Sequence, residues 1–223
     1  MDHLVSEDEV VTVVIPCRNE AGSLPGVLSA VPSGYMSLVV DNGSDDGTAD
    51  VALEHGARVV YESTPGYGAA VHTGVEAAVT PVVCVLDGDG SLDPAELPVL
   101  VGLLRAGADL GMGRRRPVRH SGWPLHARAG NAVVAARLRR KFGVPVHDIG
   151  AMRAIRRDTL LGLGIEDRRS GYPLELLIRA GQANLRIEER CVAYRPRTAG
   201  RSKVSGSFLG SAVATWDFLK VMR

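Results

Sequence analysis

Asp87-Gly88-Asp89 is the group in this 223-residue chain best placed to do chemistry. The two carboxylates follow the apolar run Val82–Leu86, at a point where a strand ends and the backbone turns, so both can face one cation. Such oxygen donors suit Mg²⁺ or Mn²⁺, which keeps some water and completes its shell with substrate phosphates. Gly88 and Gly90 leave room for a diphosphate, and Asp89 is expected at an exposed loop end. A second acidic group, Asp41-Asn-Gly-Ser-Asp45-Asp46, also follows an apolar run. Its Asp41 suits recognition of a base or ribose, while Asp46 and Thr48 suit a turn and a helix N-cap. The stretch fails the EF-hand pattern at Gly43.

Other chemistries lack their residues. Gly66-Tyr-Gly-Ala-Ala-Val has no third glycine of a dinucleotide fingerprint, and no GxxxxGK[ST] or GxSxG occurs. The six His form no metal-ligand spacing. Cys17, Cys84 and Cys191 lie far apart without a CxxC, which argues against a disulfide framework or structural zinc and for a reducing cytoplasm. No uninterrupted apolar run is long enough for a membrane span, and the acidic N-terminus lacks a signal-peptide layout.

The elements that must position these groups are legible from periodicity. Apolar runs at Val10–Ile15, Ser37–Asp41, Arg58–Glu62 and Val82–Leu86 read as strands. They alternate with helices expected around Ser23–Val31, Ala49–His55, Ala69–Val79 and Ala95–Ala106, and a short strand lies near Asp109–Met112. This is an α/β chain with a mostly parallel central sheet and helices on both faces. Ligands bind such sheets beyond the carboxyl ends of the strands, which places PCRNE, DNGSDDGT and DGDG along one rim. The second half is less regular. A basic loop is expected over Arg114–Trp123, a helix over Pro124–Lys141 and a strand over Asp148–Ile155. Pro173–Gly181 reads as a helix and Leu185–Tyr194 as one or two strands; a polar loop and a final amphipathic helix over Phe208–Met222 follow. No repeat or linker divides the chain, so 1–223 is read as a single domain.

The net charge of +1 conceals a strong polarity. Residues 1–110 carry only Arg18, Arg58 and Arg105 against 17 acidic residues, whereas residues 111–223 carry 23 basic and eight acidic residues. The acidic half suits a metal, and the basic half suits a phosphate, a nucleic acid or an anionic membrane. Against a nucleic-acid-binding module, only Trp123, Phe142, Tyr172 and Tyr194 interleave with those charges, too few for a stacking platform.

Read in order, VVIPCRNEAGSL, VVDNGSDDGTAD, GYGAAVHTGVEAA, VLDGDGSLDP, GRR, RAGN, DIGAMRAIRRDTL, GYPLELLIRAG and GRSKVSG resemble the family 2 glycosyltransferases of GT-A fold, in the dolichyl-phosphate mannose synthase branch. The resemblance runs from about residue 11 to 206. It implies a nucleotide- and metal-binding half over 1–110, an acceptor half over 111–206 and a C-terminal helix over 207–223. It further implies inverting, metal-dependent transfer of mannose or glucose from a GDP- or UDP-sugar to a polyprenyl phosphate.

By the same resemblance, Pro16, Arg18, Glu20, Asp41, Gly68 and Gly88 line the nucleotide-sugar pocket, while Asp87 and Asp89 hold Mg²⁺ or Mn²⁺ on the donor diphosphate. Ser91 falls where relatives often have a further polar metal contact. Arg114 and Arg128 bind the acceptor phosphate, with Arg201 and Lys203 closing over phosphates. Glu175 matches the acidic position below the sugar, and it or Asp148 is the candidate base for a hydroxyl acceptor. The residue types agree with a phosphate acceptor, which is already an anion and needs positioning by arginines more than a base. The final helix, with Trp216, Lys220 and Arg223, suits peripheral contact with a membrane or a membrane partner. A soluble acceptor and a non-catalytic sugar-nucleotide sensor are the alternatives; both metal aspartates are present, which speaks against the sensor.

Overall fold

The computed structural model describes residues 10–119 and 123–199. Arg201, Lys203 and the helix expected over Phe208–Met222 lie outside the described residues. Seven strands form one sheet: β1 Val11–Cys17, β2 Tyr35–Asp41, β3 Arg58–Tyr61, β4 Val82–Val85, β5 Leu110–Pro117, β6 Arg153–Arg156 and β7 Ile187–Tyr194. Their order is β3-β2-β1-β4-β6-β5-β7. Pairing is parallel except around β6, which runs antiparallel to both β4 and β5. Every residue of β1 except Pro16 is buried, the consequence of a β-branched run covered on both faces.

Seven α-helices and a short 3₁₀ turn at Pro94–Glu96 complete the described chain: α1 Leu24–Ser29, α2 Thr48–Glu54, α3 Tyr67–Ala77, α4 Leu97–Arg105, α5 Leu125–Phe142, α6 Arg157–Gly162 and α7 Tyr172–Gln182. One apolar cluster packs Val14, Val40, Val83, Val85 and Met112 against α3 and α7, and a second packs Val13, Ile15, Cys84 and Ala154 against α1 and α4 on the other face. α5 ends at Gly143, whose φ of 66° terminates it after Arg139, Arg140 and Lys141, cations that favour a helix C-terminus.

The first half follows the sequence expectation to within a few residues per element. The second departs from it in three places. The stretch expected as a basic loop begins as strand, because Arg114–Pro117 continue β5 in register with Cys191–Tyr194 of β7. The strand expected from Asp148 starts only at Arg153, since the Asp148 carboxylate is occupied by Arg115 and holds that stretch as a loop. The short α6 follows directly from β6, where no helix was expected.

Parallel pairing sets Cys17 level with Asp41, and the β1–β4 register carries Asp87 and Gly88 to the same end. β1 has β2 on one side and β4 on the other, so the chain reverses its order there and a crevice opens beyond the strand ends.

Candidate active site

The loops after β1 and β2 are joined by polar side chains that meet each other. Asn19, with a φ of 55°, donates from its backbone N–H to Ser44 Oγ at 3.0 Å and from Nδ2 to Asp45 Oδ1 at 2.8 Å, while Asp45 N–H donates back to Asn19 Oδ1 at 2.9 Å. Asp46 accepts from the backbone N–H groups of Ala21 and Thr48, the structural part expected of it. Asp41 is buried and accepts from Ser44 N–H at 2.8 Å through Oδ1. Asn42 donates to the carbonyls of Glu62 and Thr64 and accepts from Gly66 N–H, fixing the loop that leads into α3. This frame presents Pro16, Arg18 and Glu20 on the rim next to Asp41, with Arg18 exposed.

Asp87 and Asp89 stand at the end of β4, as expected, but Asp89 is only 3% exposed, against the expectation of an exposed loop end. Its Oδ1 accepts from Ser91 N–H at 2.8 Å, which ties the loop back on itself, and its Oδ2 meets Arg197 Nη2 at 2.9 Å. Arg197 Nη1 also lies 3.9 Å from Glu20 Oε1. Burial, then the adjacent Asp89 carboxylate, pushes Asp87 up to about 7, with Arg197, Arg115 and Arg153 pulling the other way. Two carboxylates close together, Asp89 buried and Asp87 half-buried, with hard oxygen donors only, fit Mg²⁺ or Mn²⁺. Among the described residues no third His, Cys, Asp or Glu completes a ligand set, so a cation here needs donor phosphate or water for the rest of its shell. Gly88 is required by packing, because a Cβ there would lie 2.6 Å from Cys17 Sγ, and its carbonyl accepts from Ser23 Oγ at 2.8 Å.

On the opposite rim Arg115 is fully engaged. Asp148 accepts from its backbone N–H at 2.7 Å, from Nε at 2.9 Å and from Nη2 at 2.6 Å, and the guanidinium carbon lies 4.2 Å from the centre of the Trp123 ring. Burial opposes the Arg115 charge, and the Asp148 carboxylate outweighs it. A cavity of about 390 Å³ lies here, lined by Arg114, Arg115, Arg116, Arg128, Trp123 and His147 among others. Arg114 and Arg128 thus share one cavity, and among the described residues no side-chain hydrogen bond or ion pair engages either guanidinium. Arg115 borders the cavity while its charge reaches Asp87, so it links the two rims.

Three expected site residues make contacts within the fold itself. Both oxygens of Glu175 are taken: Oε1 accepts from Glu166 N–H at 3.0 Å and Arg179 Nε at 2.6 Å, and Oε2 from Glu166 N–H at 3.1 Å and Asp167 N–H at 2.7 Å. Its carboxylate therefore holds the turn before α7. Asp148, the other candidate base, serves as the counter-ion of Arg115. Gly68 sits where a Cβ would come within 2.8 Å of the Asp167 and Arg168 backbone and 2.7 Å of Tyr172 Cβ, so close helix packing requires the glycine.

Sequence reasoning missed Arg197, Arg115 as distinct from Arg114, and the fully buried Arg153, whose Nη2 donates to Gly150 O at 2.7 Å. The signal for Arg115 was the run Arg114-Arg115-Arg116 itself, because side chains alternate in a strand and neighbours find different partners, here Asp148 for Arg115 and Cys191 for Arg116. Arg197 had no local signal, since its partner is 108 positions away in sequence.

A sheet of this order, with paired aspartates after β4 and a polar rim across the crevice, defines a glycosyltransferase of GT-A fold. The chain belongs to glycosyl transferase family 2, whose model matches residues 12–162. An uncharacterized glycosyltransferase of Mycobacterium tuberculosis is 59% identical over 96% of this chain and 98% of its own length. A dolichyl-phosphate hexose transferase of Haloferax volcanii is 34% identical over 94% of this chain and 92% of its own. Glucosyl-3-phosphoglycerate synthase of Mycobacterium tuberculosis, solved with Mn²⁺, UDP-glucose and phosphoglyceric acid, superposes with a TM-score of 0.75 at 22% identity, covering 96% of this chain and 78% of that one. Among the described residues no helix is long and apolar enough to cross a membrane.

Proposed function

We propose that the protein transfers a hexose, mannose or glucose, from a GDP- or UDP-sugar to the phosphate of a polyprenyl phosphate. The observation that carries this reading is the pair of guanidiniums, Arg114 and Arg128, that no side chain engages among the described residues, in one cavity beside Arg115. Four arginines line this cavity, which is a demand for an anion, and planar guanidiniums match phosphate oxygens. Pro16, Arg18, Glu20 and Asp41 take the nucleotide, and Asp87 and Asp89 hold Mg²⁺ or Mn²⁺ against its diphosphate. A divalent cation bound there supplies Lewis-acid stabilisation of the leaving diphosphate. Arg201 and Lys203 belong to the phosphate-binding set in this reading.

An acceptor phosphate oxygen bonds to the anomeric carbon as the bond from that carbon to the diphosphate breaks, and the electron pair leaves with the nucleoside diphosphate. The acceptor is already anionic, so no proton need be removed; this agrees with Glu175 and Asp148 being occupied elsewhere. Arg114 and Arg128 orient the phosphate, and Arg115, fixed by Asp148 and Trp123, keeps positive charge between the two reactants.

The lipid is favoured by the surface around the cavity. Leu125 and Ala129 line it, and with Ala132 and Val133 they form an exposed apolar stripe along one face of α5. Leu125 is 78% exposed and Val133 68% exposed, and Arg128, Arg137 and Arg140 flank them. Apolar groups bordered by arginine suit a prenyl chain with an anionic head. The Haloferax relative, named for a dolichyl-phosphate acceptor, supports the same class. The test is incubation with Mn²⁺ and a panel of GDP- and UDP-sugars, offering undecaprenyl phosphate, dolichyl phosphate or 3-phosphoglycerate, read by mass spectrometry. A hexosyl phosphoprenol is the expected product. Transfer to phosphoglycerate alone would replace the lipid with a soluble acceptor, and donor hydrolysis with no acceptor product would remove the phosphate reading altogether.

A further inference from the structure

Phosphate binding by Arg114 and Arg128 leaves one polar side chain of their cavity without a task. His147 lines that cavity, and Glu189 of β7 holds it in place. Glu189 Oε2 lies 2.8 Å from His147 Nδ1, and Glu189 Oε1 accepts from the backbone N–H of His147 at 2.8 Å and of Asp148 at 3.1 Å. The Glu189 side chain is only 10% exposed, while that of His147 is 48% exposed. A sheltered carboxylate therefore fixes both the loop and the ring, yet leaves the ring open to the cavity. With Nδ1 facing a carboxylate, that nitrogen carries the proton and Nε2 is the one left for a ligand.

We propose that His147 is a third phosphate-binding group of the acceptor cavity, acting through Nε2, and that its protonation controls acceptor affinity. The proposal rests on the cavity being the acceptor-phosphate site. In the neutral ring Nε2 turns a lone pair toward the incoming anion and opposes it; in the protonated ring Nε2 donates a charge-assisted hydrogen bond. Because Nδ1 stays on Glu189 in both states, the ring need not turn over when it titrates. The charged groups around the ring, among the described residues, are these. Glu189 contacts the ring, and Asp148, the next residue, is engaged by Arg115. From β5 come Arg114, Arg115 and Arg116, the last donating to Cys191 Sγ at 3.2 Å. From α5 come Arg128 in the cavity and Arg139, which donates to the Val146 carbonyl at 2.6 Å. Among the described residues that line the cavity, the arginines keep their charge near neutral pH and His147 is the one imidazole.

The experiment uses farnesyl phosphate as the probe and the full chain. Its dissociation constant is measured by calorimetry at about pH 6 and about pH 8, a window chosen to bracket imidazole titration. His147→Gln carries the probe's own titration and so isolates that of the ring. The expected result is that His147→Gln weakens binding about tenfold at the lower pH and hardly at all at the higher one. Glu189→Gln should bind less tightly than the native chain at the lower pH. The native protein supplies an independent reading by NMR: adding farnesyl phosphate should raise the midpoint of the His147 ring titration. If the native and His147→Gln profiles coincide and the ring midpoint does not move, while Arg114→Ala still weakens binding, His147 is only a loop anchor and the cavity keeps its role. If farnesyl phosphate binds equally to native protein and to Arg114→Ala and Arg128→Ala, the cavity assignment falls and the proposal falls with it.

Discussion

Along the rim built by the loops after β1 and β2, polar side chains are bonded to the protein itself: Asn19 to Asp45, Asn42 to the carbonyls of Glu62 and Thr64, Asp46 to Ala21 and Thr48. Across the crevice, on β5 and α5, Arg115 is pinned by Asp148 while Arg114 and Arg128 meet no side-chain partner among the described residues. The first rim is a finished frame, in which each loop limits the freedom of the other before any ligand arrives. The second keeps positive charge in reserve for an anion that the protein does not supply. In the proposed reaction the difference has a use. The nucleotide must be held in one orientation so that its anomeric carbon is presented correctly, whereas a lipid phosphate arrives from outside and needs charge to draw it in.

The largest expected effect breaks the finished side. Asp89→Asn keeps the shape of a side chain that is buried and accepts from Ser91 N–H, but removes the charge that faces Arg197 and a cation. Transfer should fall by about 10²–10³-fold, the scale of losing one electrostatic contact to the developing charge. Steady-state rates with Mn²⁺ measure it, and a variant within threefold of the native rate would detach Asp89 from the chemistry.

A second prediction sharpens the contrast through pH. Asp87 is pushed up to about 7 from an ordinary value near 3.8. The folded chain without cation therefore holds that proton more tightly than the unfolded chain does. The associated stability is complete below about pH 4 and is lost as pH rises towards about 7, on the order of 1 kcal/mol per pH unit. Denaturation in urea with a chelator should show this decline, Asp87→Asn should flatten it, and added Mn²⁺ should reverse it. A chelated native protein that gains stability between pH 4 and 7 by the same amount as Asp87→Asn would contradict it.

The reserve side is tested next. Arg114→Ala and Arg128→Ala should each raise the acceptor KM about tenfold and leave nucleotide affinity within twofold, the lower end of the range for one charge-assisted hydrogen bond. Acceptor kinetics beside nucleotide calorimetry separate the two outcomes. Loss of nucleotide binding with normal acceptor use would move both arginines to the donor side.

What can be read from the sequence follows the same division. Strand and helix periods and the Gly-bounded acidic loops are local patterns, so β1 to β4, α1 to α4 and the rim bearing Asp41, Asp87 and Asp89 are legible in the residue order alone. Residues whose roles depend on distant partners are not. Arg115 gains its position from Asp148, 33 residues on, and Arg197 meets Asp89 across 108 residues. Local preference ends β5 too early because Arg114–Arg116 read as a polar loop, whereas pairing with β7 overrides that preference. The family resemblance supplies Arg128, and the fold adds that it shares a cavity with Arg114.

The smallest effect concerns Glu175, which resemblance places below the sugar. Three of its four contacts anchor the 166–167 turn, and the backbone just beyond that turn accepts from α3: Gly68 N–H donates to Arg169 O at 3.1 Å and Ala69 N–H to Arg168 O at 2.8 Å. Glu175 is thus a support for the start of α3, which follows the loop that Asn42 braces from the nucleotide rim. Glu175→Gln keeps one carbonyl acceptor and loses the negative charge of a buried carboxylate that meets the partly exposed Arg179. The expected cost is about 2 kcal/mol of folding stability, with kcat changed less than threefold. Urea midpoints and steady-state kinetics on one preparation give both numbers. If kcat collapses by a hundredfold while the midpoint stays put, Glu175 touches the reacting sugar after all. The finished frame would then extend to a third carboxylate.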